Sequence, residues 1–215
     1  MLRIDGSVFN FLSRIADFLI VNILTVLCCL PVVTIGAALT ANYKIMQDIA
    51  LERDCTVIHS YFRAFAGNFK QATAVWLLTV LSIFVLGADV YIVHNYFHDG
   101  GSSVMKVLLL VVGLAVLGTV VYAFPLIARY ENTVKQHLQN AFLLAFSNLP
   151  RTIVILLLYS IPVILGYWSM TVLVESLGLW ALFGISMVTY LHTKLLKPLF
   201  LRFGESSEHE DFEQQ

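Results

Sequence analysis

The side chains that could do chemistry are few, and they lie near one end of an apolar run. Asp89 is the single acid inside the long apolar segments, and His94, His98 and Asp99 follow it. An ionisable side chain within lipid is costly and is a functional candidate by default. These groups could form a proton relay or a divalent cation site; alternatively, Asp89 reaches the headgroup region or a polar partner. We favour the second interpretation, because a proton-coupled transporter is expected to place its acids nearer the membrane midplane.

A second pattern surrounds Pro31. The twelve residues from Leu30 read LPVVTIGAALTA. Proline removes a backbone donor and kinks a helix, whereas threonine hydroxyls can bond the freed carbonyls and glycine permits close approach of another helix. The structural interpretation is a bent, tightly packed helix or a partly re-entrant end, and the functional one is a docking surface or a substrate-lining break. On spacing alone we favour the structural interpretation. The residues predicted for helix packing or partner docking are Pro31, Thr34, Gly36 and Thr40.

The signatures of hydrolases, metalloproteases and nucleotide-driven pumps are missing. The sequence contains no G-x-S-x-G, H-E-x-x-H or G-x-x-x-x-G-K-[ST]. Cys28, Cys29 and Cys55 are odd in number and lack a metal-ligand spacing, so we interpret them as free thiols. We therefore predict no catalytic, cofactor-binding or metal-ligating residue and no enzymatic activity.

Apolar helices must position these residues. The 215 residues are 59% hydrophobic and 13% charged, against about 45–50% and about 25% in an ordinary soluble domain. Long uncharged runs predict membrane spans, here at about 18–40, 73–94, 107–128, 152–174 and 177–193. We therefore predict an all-α, polytopic membrane bundle of about five transmembrane helices. The net charge of −1 gives no field that would attract nucleic acid.

Basic residues set the predicted orientation. They concentrate in the connections 41–72 and 129–151 and after residue 193, whereas the connections 95–106 and 175–176 hold one and none. Because Lys and Arg are enriched in cytoplasmic loops, these basic connections and the C-terminus are predicted to be cytoplasmic. Five crossings then place the N-terminus outside. A re-entrant break at Pro31 or Gly36 would change the number of crossings by one.

The single membrane domain is predicted to cover residues 1–204. Residues 205–215 are rich in Glu and Asp and cannot bury a core, so they predict a disordered, acidic cytoplasmic tail. Within the domain, apolar residues recur at helical spacing over 4–15, 58–69 and 134–149, which predicts amphipathic interfacial helices. The side chains predicted to form the cytoplasmic surface are Phe62, Phe65, Arg129, Glu131 and Asn132.

Two of these amphipathic segments are alike. FRAFAGN begins at Phe62 and is followed by Thr73, and FLLAFSN begins at Phe142 and is followed by Thr152. The likeness indicates either a degenerate internal repeat, as in many transporters, or a common requirement of helices that enter a membrane from the cytoplasm. We favour the common requirement.

Three segments carry a resemblance when taken together: LPVVTIGAALTA from Leu30, FRAF and NFKQAT from Phe62 and Asn68, and FPLIARYENT from Phe124. In this combination the chain resembles the YesL family of bacterial integral membrane proteins, a family long labelled a domain of unknown function, over about residues 5–204. The resemblance implies a small plasma-membrane protein of mostly Gram-positive bacteria. It also implies genes that commonly lie beside carbohydrate importers of the ATP-binding-cassette type and glycoside-degrading enzymes.

The expected function is that of a non-catalytic accessory or assembly subunit of such an importer. Its expected partners are membrane lipid and the permease subunits, and it could also form a homo-oligomer. The alternative is a self-contained small transporter or channel that uses the repeat and Asp89. A sensor ranks below both, because no cytoplasmic connection exceeds about 32 residues.

Overall fold

The chain is an all-α membrane bundle, as predicted. The computed structural model describes residues 6–53, 56–96, 101–169, 171, 174 and 178–213, and no strand occurs among them. The described helices are α1 (Gly6–Cys29), α2 (Ile35–Ala50), α3 (Val57–Tyr96), α4 (Gly101–Ile127), α5 (Val134–Ser147), α6 (Leu149–Trp168) and α7 (Ile185–Glu213). A 3-10 turn, Val32–Thr34, precedes α2, and a π-helical turn, Trp180–Gly184, precedes α7.

The first apolar run folds as two helices, so the single span predicted at 18–40 is corrected. α1 ends at Cys29, and Pro31 takes the extended values φ −76° and ψ 116°. Proline cannot donate to the helix and restricts the residue before it, which explains the break. The hydroxyl of Thr34 lies 2.6 Å from the carbonyl oxygen of Cys28 and 2.7 Å from that of Pro31. It thereby bonds carbonyls that the break leaves free.

Contacts with α7 show the direction of α1. The backbone N–H of Ser186 donates to the side chain of Asn22 over 2.8 Å. The ring of Phe18, one turn before Asn22 on α1, lies 5.0 Å from the ring of Tyr190, which is one turn after Ser186 on α7. Residue numbers therefore fall on α1 as they rise on α7, so the two helices are antiparallel.

α2 runs in the opposite direction to α1. Asn42 donates to the hydroxyl of Ser186, and the ammonium group of Lys197 donates to the carbonyl of Ala50. Residue numbers thus rise together on α2 and α7, and α1 and α2 form an antiparallel hairpin. The start of α1 and the end of α2 lie at the same end of the bundle. The prediction of an external N-terminus assumed that residues 18–40 cross the membrane once. Because they form a hairpin instead, the same pattern of basic residues predicts that both termini lie on the cytoplasmic side.

The end of α2 is marked by a left-handed residue and by charge. Glu52 has φ 55°, a conformation that commonly terminates helices. The carboxylate of Asp48 lies 3.4 Å from the ammonium group of Lys44 and 3.8 Å from the guanidinium of Arg53. The polar end of α2 is therefore the end that leads into the basic connection before α3.

α3 joins a predicted interfacial segment and a predicted span into one helix of 40 residues. Its sequence contains no proline, so nothing interrupts the hydrogen-bond ladder between residues 58–69 and 73–94. Four described helices are long and apolar enough to cross a membrane, in the segments Leu12–Cys29, Val57–Tyr96, Ser103–Ile127 and Leu149–Tyr167. The predicted fifth span begins at residue 177, outside the described residues, and its described part leads through the π-helical turn into α7.

The acidic segment continues the last helix. α7 continues through the acidic segment as far as Glu213, and residues 214–215 lie outside the described part of the chain. Glutamate is a good helix former, and no proline follows Pro198. A helix already nucleated in the bundle therefore extends through residues that could not nucleate one alone.

α5 is a separate amphipathic helix with a complete capping box. The side chain of Thr133 accepts from the backbone of Gln136, whose own side chain accepts from the backbone of Thr133. Asn148 separates α5 from α6, whereas the matching residue of the first segment, Asn68, lies inside α3. The two similar segments thus differ in local structure, which favours a common membrane-entry requirement over an internal repeat.

Two apolar clusters hold the bundle together. One includes Tyr122 and Ile127 of α4, Ile155 of α6 and Leu196 of α7, and the other joins α1, α2 and α3. The second consists of Val21, Ala41, Ile45, Met46 and Tyr61. The side chain of Phe65 on α3 packs against both clusters, so α3 connects the hairpin to the rest of the bundle.

Because α2 lies close to α3 at Gly36, we predict that this position does not tolerate a larger residue. A Cβ at Gly36 would lie against the carbonyl oxygen of Ala72 and 2.7 Å from the Cβ of Trp76. Gly36→Ala should therefore destabilise the protein by about 1–3 kcal/mol, the usual cost of overpacking. Thermal melting in detergent measures the effect. Gly67→Ala is the matched control, because a Cβ there meets nothing within 4 Å; equal melting of the two variants would contradict the packing argument.

Candidate functional site

α2 lies at the centre of the bundle and brings polar side chains into it. It contacts α1, α3, α4 and α7, and most of its residues are buried. Buried polar groups need hydrogen-bond partners, because water cannot replace them. Gln47, for example, donates to the carbonyl of Pro125 in α4 over 2.9 Å. The hydrogen bonds of the polar side chains of α2 thus show which neighbouring helices it is bonded to.

A single amide connects three helices. The side-chain N–H groups of Asn42 donate to the hydroxyls of Thr25 on α1, at 2.9 Å, and of Ser186 on α7, at 3.0 Å. Its carbonyl oxygen accepts from the hydroxyl of Thr189 at 2.6 Å. All four side chains are buried. We call these residues the Asn42 cluster.

A second amide supports the irregular backbone before α7. Asn22 donates to the carbonyls of Trp180 and Ala181, at 3.1 and 2.7 Å, and its own carbonyl accepts from the N–H of Ser186. A π-helical turn shifts the usual bonding pattern and leaves groups that other partners must bond. Asn22 therefore stabilises a turn that an apolar side chain could not.

The third polar group brings together Tyr43 of α2, Tyr159 of α6 and His192 of α7, which we call the His192 cluster. The hydroxyls of the two tyrosines are hydrogen-bonded, and they lie 2.7 and 3.3 Å from Nδ1 of His192. The imidazole also meets the rings of Tyr43, Tyr122 and Tyr159 edge-on. The cluster therefore ties α2, α6 and α7 together around a fully buried histidine.

The His192 cluster bonds one nitrogen of the imidazole, Nδ1, among the described residues. When Tyr159 donates to Tyr43 and Tyr43 donates to Nδ1, the neutral imidazole carries its proton on Nε2. Nε2 is buried and has no hydrogen-bond partner among the described residues. A buried donor left without a partner costs about 1–3 kcal/mol. A hydrogen-bond acceptor placed beside Nε2 would therefore stabilise this imidazole.

His192 was not among the predicted site residues, although it lies in the predicted span 177–193. The sequence could have indicated it, because His192, like Asp89, is an ionisable residue in an otherwise apolar segment, and such residues are functional candidates. Its partners could not be predicted, because Tyr43 and Tyr159 lie on other helices far away in the chain. Periodicity does not report which faces of distant helices meet.

The predicted packing residues near Pro31 divide into two groups. Thr34 closes the break, and the turn around it is exposed, with Leu30 and Val32 exposing 74% and 66% of their surfaces. Gly36 and Thr40 are buried instead, with Gly36 against α3 and the hydroxyl of Thr40 bonded to the carbonyl of Gly36. Gly36 and Thr40 therefore take part in packing within the chain and present no surface to a partner.

The predicted cytoplasmic residues lie on α3 and on the connection between α4 and α5. On α3, Phe62 is exposed, whereas Phe65 packs against the core. In the connection, Glu131 is exposed and the guanidinium of Arg129 lies over the ring of Tyr130. The backbone carbonyl of Asn132 accepts from Gln71 of α3, which joins the connection to that helix.

The predicted polar site at Asp89 is not assembled by the described residues. Asp89 is half-buried on α3, and His94 is exposed one turn further along. His98 and Asp99 lie outside the described residues. No group of three or more His, Cys, Asp or Glu that could hold a metal ion occurs in the part of the chain that the structure describes.

Comparison with protein families gives one match. Residues 18–90 match a family model described as "Protein of unknown function, DUF624". This segment is therefore similar to that family. The match confirms the family resemblance over these residues and includes the second half of α1, all of α2 and most of α3, whereas Phe124 and His192 lie beyond it. Neither a curated protein nor a solved structure matches the chain.

His137 is a buried histidine on α5, outside the membrane-spanning segments. We predict that it makes the protein less stable in mild acid. Burial lowers the pKa of His137 from its ordinary value of about 6.5. Unfolding therefore takes up a proton once the pH falls below that value, so stability is retained above it and declines below it. The melting temperature in detergent should fall between about pH 7 and about pH 5, and by less in His137→Gln.

The control for this measurement is His59→Gln, which replaces an exposed histidine of α3. It should retain the acid-induced fall of the unmodified protein. An identical fall in His137→Gln and the unmodified protein would show that protonation of His137 does not limit stability.

Proposed function

We propose that this protein is a non-catalytic membrane subunit that assembles with the permease of a carbohydrate importer of the ATP-binding-cassette type. The observation that carries the proposal is the use of its interior polar groups. Asn22 and the Asn42 cluster bond one another and the backbone, so they hold helices rather than offer donors to a solute. The resemblance to the YesL family supports an importer as the partner.

Two exposed apolar surfaces are available to such a partner. One is the turn at the tip of the α1–α2 hairpin, where Trp76 donates to the backbone carbonyl of Val32 and holds the turn against α3. The other is the outer face of α5, where the rings of Phe142 and Phe146 lie 4.5 Å apart and Leu143 is exposed between them. Large aromatic residues in an exposed patch are typical of protein contacts.

We place the permease contact on the outer face of α5. This helix lies in a basic, predicted cytoplasmic connection, where a permease presents the parts that receive movements from its ATPase. A rigid, capped helix that displays two neighbouring phenyl rings is suited to such a contact, because little conformational entropy is lost when it binds. The hairpin tip is predicted to lie within the bilayer, where lipid can cover it.

The test is purification of the tagged full-length protein from its native membranes in a mild detergent. Permease subunits should co-purify with it, and Phe142→Ala combined with Phe146→Ala should reduce their recovery about tenfold or more, as for a contact worth about 1.4 kcal/mol. Phe84→Ala, which removes an exposed ring from α3, is the control and should leave recovery unchanged. The proposal fails if no permease subunit co-purifies and if deletion of the protein leaves uptake of every sugar unchanged.

A second candidate function is a small proton-coupled transporter, and the buried His192 cluster is the observation that favours it. Proteoliposomes containing a pH-sensitive dye would then show proton flux. His192→Gln and Tyr43→Phe should each abolish it, because the first removes the titratable ring and the second the hydroxyl that bonds Nδ1. His59→Gln should retain it. Absence of flux from the unmodified protein, with sugars or ions present, would eliminate this candidate.

A further inference from the structure

An apolar groove of about 630 Å³ lies between α3 and α4, in the part of the pair nearest their connection. We call it the α3–α4 groove. No residue of another described helix lines it. Its apolar walls include Ile83, Leu86 and Val90 of α3 and Leu109, Leu110 and Leu114 of α4.

The groove exists because two glycines line facing walls. A Cβ at Gly87 or at Gly113 would meet nothing within 4 Å. Side chains at these positions would fill the space, and their absence leaves a narrow slot between two exposed apolar helices. A slot of this kind in a membrane is not left empty, because its walls would lose their dispersion contacts.

The two titratable side chains that line the groove are both nitrogen bases. His94 of α3 and Lys106 of α4 lie at the end near the connection, beyond the apolar walls. Asp89, the nearest acid along α3, is not among the lining residues. The wider groove of about 890 Å³ between α3, α4 and α5 is lined by no Lys, Arg or His. Charge therefore distinguishes the α3–α4 groove from its larger neighbour.

We infer that the α3–α4 groove binds one acyl chain of an anionic phospholipid, with the lipid phosphate held by Lys106 and His94. The apolar walls suit the chain, and the two bases at one end suit the phosphate, since basic pockets between membrane helices bind anionic headgroups. Lys106 can extend its ammonium group to the headgroup level while its stem stays in the apolar part.

Charge favours a lipid over a helix of a second copy, because a phosphate offers an opposite charge to the two bases at one end of the groove. From Ile83 to His94 the groove is roughly 17 Å long, at 1.5 Å per residue. An extended acyl chain can follow a groove of this length.

The charge in this inference is tested by lipid retention. The full-length protein is reconstituted in vesicles of equal parts phosphatidylglycerol and phosphatidylcholine and extracted in mild detergent, and the retained lipids are quantified by mass spectrometry. Phosphatidylglycerol should be retained in preference to phosphatidylcholine. Lys106→Gln should reduce that preference about fivefold, as for one basic residue near an anionic headgroup. Lys135→Gln, on α5 outside the groove, should leave the preference unchanged.

The shape of the groove is tested by filling it. Gly113→Leu should lower retention of both lipids, whereas Gly67→Leu, which also projects into open space but away from the groove, should not. Melting temperatures of the two variants, if similar, show that both are folded; if Gly113→Leu melts lower, Gly87→Leu serves in its place. Unchanged retention in Lys106→Gln and in the groove-filling variant would overturn the inference. Loss of protein dimers without loss of lipid would also overturn it and identify a second copy as the occupant.

Discussion

The hydrogen bonds of Asn42 are the constraint on which the arrangement of the hairpin depends. One amide bonds side chains of α1 and α7 while its own helix occupies the centre of the bundle. In an apolar surrounding these bonds have a definite geometry and no competing water, so they select one register of the three helices. Apolar contacts alone would permit several registers at similar energy, because they have no direction.

The same constraint explains why α2 can be both polar and buried. Its amides and its tyrosine each find a partner on another helix, so burial leaves few of its polar groups unbonded. The His192 cluster differs, because Nε2 of His192 has no partner in the described bundle. The interior therefore combines a fully bonded structural part around Asn42 with a histidine that retains bonding capacity, and this difference separates the two functional interpretations.

The outer surfaces add a third kind of site. At Gly36, α2 packs closely against α3, whereas Gly87 of α3 and Gly113 of α4 line an open groove. Glycine thus has opposite effects in the two places. In one it lets two helices touch, and in the other it leaves a slot that lipid can enter. The neighbouring helices decide which effect results.

The sequence by itself determined the class of the protein, most of the apolar helices and the local chemistry at Pro31, because hydropathy, proline geometry and a nearby hydroxyl act over a few residues. The separate α5 helix and the involvement of Gly36 in close packing were also predictable. Only the tertiary structure decided that the first run is a hairpin, that α3 is continuous and that Tyr43, Tyr159 and His192 meet. These depend on which faces of distant helices pair, and a helical period carries no information about the partner of a face.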